Sequence, residues 1–84
     1  MTKHIVDYVT YVVESLVEDP DSVAVTSSME NDDLYVDIDV AEGERGRVIG
    51  RQGRLIRSLR VVARAAAGRD GMRASVELVE EDDK

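Results

Sequence analysis

The sequence predicts an α+β fold of two layers, in the order α-β-β-α-α-β, with a mixed three-stranded sheet and helices on one face. Three observations predict it. Helical apolar spacing occupies the first eighteen residues, strand-like alternation follows, and a second helical segment stands before a last alternating stretch. The chain has 84 residues, enough for one domain over residues 1–79.

Residues 3–18 form the first predicted helix. Ile5, Val9, Val12, Val13, Leu16 and Val17 share one stripe, with Asp7, Thr10, Glu14 and Glu18 off it. Its β-branched valines are weak helix formers, so packing must hold it. Asp19-Pro20-Asp21 ends it, because the residue before proline is driven out of the α region. Residues 22–29 read as a strand with Val23, Val25 and Met29 on one side. Residues 34–40 read as another, in which Leu34, Val36, Ile38 and Val40 alternate with Tyr35, Asp37 and Asp39. The short polar link Glu30-Asn31-Asp32-Asp33 makes the two strands a hairpin.

Residues 44–49 predict a short helix that buries Val48 and Ile49 and stops at Gly50. Residues 54–67 predict a longer one, with Leu55, Leu59, Val62 and Ala66 as its core stripe and Arg57, Arg60 and Arg64 on another face. Gly68 and Gly71 close it. Ala74, Val76 and Leu78 then alternate with Ser75, Glu77 and Val79 as the last strand. The helical crossover makes the second and third strands parallel. Residues 80–84 form an acidic tail expected to be disordered.

Charge is sharply partitioned. Residues 1–44 carry a net −11, and residues 74–84 carry −4. Residues 45–73 carry +8, from nine arginines against Asp70, within a chain of net −7. Fields are screened over about 8 Å at physiological salt, so a polyanion docked on the arginine segment would feel mainly that segment. The chain has no cysteine, which removes disulfides and thiolate metal sites. No apolar run approaches the roughly 20 residues that span a bilayer, and the amino-terminal segment, with Asp7 and Glu14, is unlike a signal peptide. A cytoplasmic protein with no membrane partner is expected.

The segment Gly46-Arg47-Val48-Ile49-Gly50-Arg51-Gln52-Gly53-Arg54 carries the candidate chemistry. Glycines permit positive φ and leave no Cβ in the way of a phosphate. The next helix starts at about Arg54 and points its positive end into the same space, where Arg51 and Arg54 add full charges. Alone, a glycine-x-x-glycine pattern is also an ordinary helix–turn–helix corner.

With Val48-Ile49 before it, Leu55-Ile56 after it, and Val61-Val62-Ala63-Arg64-Ala65-Ala66-Ala67 beyond, the chain resembles a type II KH domain, and more closely the small bacterial KhpA-type proteins. The resemblance runs from the first helix to the last strand. It implies that about four single-stranded nucleotides are held with their backbone on the loop and their bases on an apolar floor. By resemblance, the RNA-binding set is Gly50, Arg51, Gln52, Gly53, Arg54, Arg47, Arg57, Val48 and Ile49. The floor also includes Leu55 and Ile56, with Val36 and Ile38 from a strand. The resemblance further implies an RNA chaperone or post-transcriptional regulator linked to cell-envelope growth and cell shape. It implies a homodimer, or a heterodimer with a Jag/KhpB-type partner. Relatives often use lysine where this chain has only arginine; arginine can fork onto phosphate or stack on a base.

Other readings fail. Gly46, Gly50 and Gly53 have the wrong spacing for a P-loop, and no strand runs into them as a dinucleotide fingerprint requires. A membrane GxxxG helix is excluded by charged flanks. His4 is the only histidine and sits near the start, so no nucleophile–histidine–acid set is plausible. Asp37 and Asp39 share a strand face best explained as a solvated sheet surface. No enzyme, cofactor, metal or small-molecule substrate is indicated. The alternative to RNA binding is a protein-interaction or dimerisation module, using Tyr8 and Tyr11 beside the first stripe, and Ile56 and Val61 beside that of the arginine helix.

Overall fold

The computed structural model describes residues 2–80. The chain runs α1 (Thr2–Leu16), β1 (Ala24–Glu30), β2 (Asp33–Asp39), α2 (Arg45–Ile49), α3 (Arg54–Arg69) and β3 (Arg73–Leu78), with 3-10 turns at Pro20–Ser22, Glu42–Glu44 and Arg51–Gly53. Of the predicted acidic tail, only Glu80 falls within the described residues.

The sheet order is β1-β2-β3, with β1 and β2 antiparallel and β2 and β3 parallel, as the predicted connections require. Asn31 turns the hairpin at φ 59°, a left-handed conformation that asparagine tolerates better than most residues. Leu34, Val36 and Ile38 point to one face of the central strand and are buried beside Ala74 and Val76 of β3. Ile5, Val9 and Val13 of α1 and Ile56, Leu59, Ala63 and Ala67 of α3 complete the core from the helix layer. Met29 is on the helix side of β1, yet it is 48% exposed, because it lies near the hairpin end of an edge strand.

Two expectations about α3 need correction. Its core row is Ile56, Leu59, Ala63 and Ala67, whereas Leu55 and Val62 are exposed. The apolar arc of this helix is wide enough to hold both rows. The sheet takes the row with two alanines, whose small side chains let the helix lie close. Leu55 instead lies over the backbone of Gly50, and Val62 faces the groove beside Tyr8 of α1. Gly68 does not stop the helix, which continues to Arg69. The stop is at Gly71 (φ 74°), where Gly71 N–H donates to the Gly68 carbonyl and Met72 N–H to the Ala67 carbonyl. That pair of bonds is a Schellman termination, in which glycine takes the left-handed position at no steric cost.

Candidate nucleic-acid interface

The short helix α2 is held in place by the segment that follows α1. The Glu44 carboxylate accepts from the backbone N–H groups of Glu18 and Asp19, both at 3.0 Å, and from Arg47 Nε at 3.2 Å. Arg47 also donates to Glu18 at 3.1 Å. Arg47, expected as a phosphate ligand, is therefore engaged in this tie between α2 and the segment after α1.

Gly50 caps α2 by donating to the Gly46 carbonyl at 2.9 Å, with φ 77° and ψ 175°. That region is essentially reserved for glycine. Gln52 (φ 57°) and Gly53 (φ 74°) follow in left-handed geometry, and a 3-10 turn leads straight into α3. This turn uses two of the amides at the entry to α3: Gly53 N–H donates to the Gly50 carbonyl, and Arg54 N–H to the Arg51 carbonyl. The N–H groups of Arg51 and Gln52 have no backbone partner among the described residues. Arg57 Nη2 donates to the Gln52 carbonyl at 2.9 Å, and Arg54 reaches the Gln52 side chain at 3.4 Å. Two arginines thus hold the apex of the loop, while Arg51 is exposed with no hydrogen bond or ion pair among the described residues. Four of the expected site residues (Arg51, Gln52, Arg54 and Arg57) converge on one exposed turn with free backbone donors.

Beside the loop runs a groove of ≈ 350 Å³ between α2, the start of α3 and β3. Ile49, Ile56 and Leu78 supply its apolar surface, and Arg60, Glu77 and Glu80 its charged rim. This corrects the expected floor. Val48, Val36 and Ile38 are fully buried and cannot meet a ligand; they support the groove from within. The strand that walls it is β3, at the edge of the sheet, not the central β2. Leu55 lies beside the loop, against Gly50, and does not line the groove. Glu77 and Leu78 carry no sequence signal for this position, because only the sheet order makes β3 an edge. Arg60 bridges from α3 to this edge. Its Nε donates to the Val76 carbonyl at 2.9 Å, and its Nη2 lies 3.7 Å from Glu77.

The acids lie mostly away from the loop. Register places Glu30, Asp33, Asp37, Asp39 and Glu77 on the open sheet face, opposite the helix layer. On that face Arg73 donates to Asp33 at 2.6 Å and holds its carboxyl below the usual carboxylate range. No helix of the described residues is long and apolar enough to cross a membrane.

Comparison with known proteins identifies the family and the fold. Residues 6–78 match the family model described as "KhpA/KhpB, KH domain". A protein of Chlamydia trachomatis named RNA-binding protein KhpA is 31% identical over 75 residues, which is 89% of this chain and 96% of that protein. Its namesake in Clostridium acetobutylicum is 35% identical over 68 residues, 81% of this chain and 91% of that protein. Among solved structures, Era in complex with MgGDPNP and nucleotides 1506–1542 of 16S ribosomal RNA superposes with a TM-score of 0.59 at 19% identity. The match takes in 92% of this chain and 31% of the Era chain, and shows a shared fold.

Proposed function

This chain belongs to the KhpA/KhpB KH-domain family, and from that premise we propose that it binds single-stranded RNA, with the sugar-phosphate backbone on the loop Gly50-Arg51-Gln52-Gly53. The observation that carries the reading is the exposed turn itself. Two unpaired amides, those of Arg51 and Gln52, stand beside the uncommitted guanidinium of Arg51 and those of Arg54 and Arg57. Such a concave set of backbone donors and cations fits a phosphate. About four nucleotides fit the loop and its groove in the manner of KH domains. The relatives' name, RNA-binding protein, supports the same ligand class and a role without catalysis. A cytoplasmic RNA chaperone or post-transcriptional regulator, tied to envelope growth and cell shape, is the role the family resemblance implies.

The test is the double substitution Arg51→Asp with Gln52→Asp, measured by fluorescence anisotropy with a labelled single-stranded RNA. Asp tolerates the left-handed conformation of Gln52, so the fold survives. Binding is expected to vanish at low salt. The wild type should lose affinity with a slope of roughly −0.7 per phosphate contact in log K against log salt. Unchanged binding by the double variant would remove the loop from the site.

One observation favours a second, compatible reading. Tyr8, Tyr11, Val61 and Val62 are exposed on α1 and α3, and Tyr8 and Val62 line an apolar groove with Ile5, Ala63 and Ala66. Ile56, expected on this surface, instead packs into the core and shows only an edge in the groove beside the loop, so it takes no part. A homodimer, or a heterodimer with a KhpB-type partner, would cover it. Val62→Lys should then shift sedimentation from dimer to monomer, whereas a wild type that stays monomeric and ignores such a partner refutes this reading.

A further inference from the structure

The charges around the groove do not suit a phosphate. Glu77 and Glu80 stand on its rim, and Arg60, the cation there, is shared with Glu77 at 3.7 Å and with the Val76 carbonyl at 2.9 Å. Its apolar surface of Ile49, Ile56 and Leu78 is of the kind on which a base face rests. The backbone therefore stays on the loop and a base enters the groove. An ionised carboxylate only accepts hydrogen bonds. A base pressed against this rim must offer a donor at its edge. Adenine, cytosine and guanine each carry an exocyclic amine, and glutamate accepting from the cytosine amine is an established pairing. Uracil carries two carbonyls and a single N–H between them, so a carboxylate approaching that N–H also approaches a carbonyl oxygen.

We propose that Glu77, steered by Arg60, is a specificity-determining residue that selects an amine-bearing base over uracil in the groove beside the loop. The proposal rests on the RNA-binding reading and adds a base preference to it. Arg60 is the positioning partner: anchored on the Val76 carbonyl, it draws the flexible Glu77 side chain from the open sheet face to the groove rim.

The experiment is anisotropy of the full chain with labelled oligo(rC), oligo(rA) and oligo(rU) of equal length at one salt concentration. The wild type should bind oligo(rC) and oligo(rA) about tenfold tighter than oligo(rU), the effect of one charge-assisted hydrogen bond. Glu77→Gln keeps the shape and can donate as well as accept. It should strengthen oligo(rU) binding and bring the three affinities within about twofold. Asp37→Asn is the control for net charge, since Asp37 is the register partner of Glu77 but does not line the groove. It should raise all three affinities together and preserve their ratio. Equal affinities in the wild type, or an unchanged ratio in Glu77→Gln, overturn the proposal. If instead the Arg51→Asp, Gln52→Asp variant binds like wild type, the loop reading itself fails, and the two failures are thereby told apart.

Discussion

Replacing Gly50 with alanine tests the geometry of the loop most directly. Gly50 sits at φ 77°, ψ 175°, and a Cβ there would stand 2.8 Å from both Cβ and Cγ of Leu55. The backbone region alone costs a non-glycine residue about 1–3 kcal/mol. The clash adds to that, because Leu55 begins the rigid first turn of α3 and its own Cβ is one of the atoms struck. Truncating Leu55 to alanine would therefore not relieve it. A total of about 2–4 kcal/mol is expected, a large share of the roughly 4–12 kcal/mol available to a domain of this length. Gly53 provides the comparison. It is also left-handed (φ 74°, ψ 17°), but the nearest atom to an added Cβ is Arg57 Nη2, at an ordinary 3.6 Å. Gly53→Ala should cost only about 1 kcal/mol. The assay is urea unfolding followed by far-UV circular dichroism, with both variants compared to wild type at constant m-value. If Gly50→Ala loses no more stability than Gly53→Ala, the packing of Leu55 on the loop is not as described.

Three further outcomes follow from the same structure. Gly46 and Gly68 lie within helices with open space where a Cβ would stand, so Gly46→Ala and Gly68→Ala should each stabilise by about 0.5–1 kcal/mol in the same unfolding assay. Arg47 is engaged by Glu18 and Glu44 whereas Arg51 is not, so Arg51→Gln should weaken RNA binding and reduce its salt slope, as read by anisotropy titrations, more than Arg47→Gln. The hydrogen bond from Arg73 lowers the carboxyl pKa of Asp33 in the folded chain, which stabilises the fold above the unfolded value of about 3.9 and is lost as pH falls through the folded value. Acid unfolding curves should show Asp33→Asn losing stability at neutral pH but converging with wild type at the acid end, while a constant gap between the two would contradict this linkage.

Much of the fold was legible because its signals are local. The alternation from Leu34 and the polar link after Met29 each act within a few residues of themselves. The strand appears at Asp33–Asp39, and the link tightens to Asn31-Asp32 because Glu30 and Asp33 pair in the ladder, while α1 ends at Leu16, ahead of Asp19-Pro20. The loop was legible for the same reason: Gly50 and Gly53 both adopt the positive φ that makes glycine useful there. The candidate site was legible only in part. Arg51, Gln52, Arg54 and Arg57 lie close in sequence and meet at the turn, but Arg47 is diverted by Glu18, twenty-nine residues away.

The sequence by itself therefore determined the element order, the hairpin, the crossover and the glycine turn between two helices, since each follows from backbone conformations and periodicities that neighbouring residues impose. Tertiary structure decided the rest. It chose which of two apolar rows of α3 meets the sheet, made β3 the wall of the groove, and brought Glu77 beside Arg60. The reason is that a helix with a wide apolar arc has no preferred rotation until another element packs on it. A strand likewise has no edge until its neighbours in the sheet are in place.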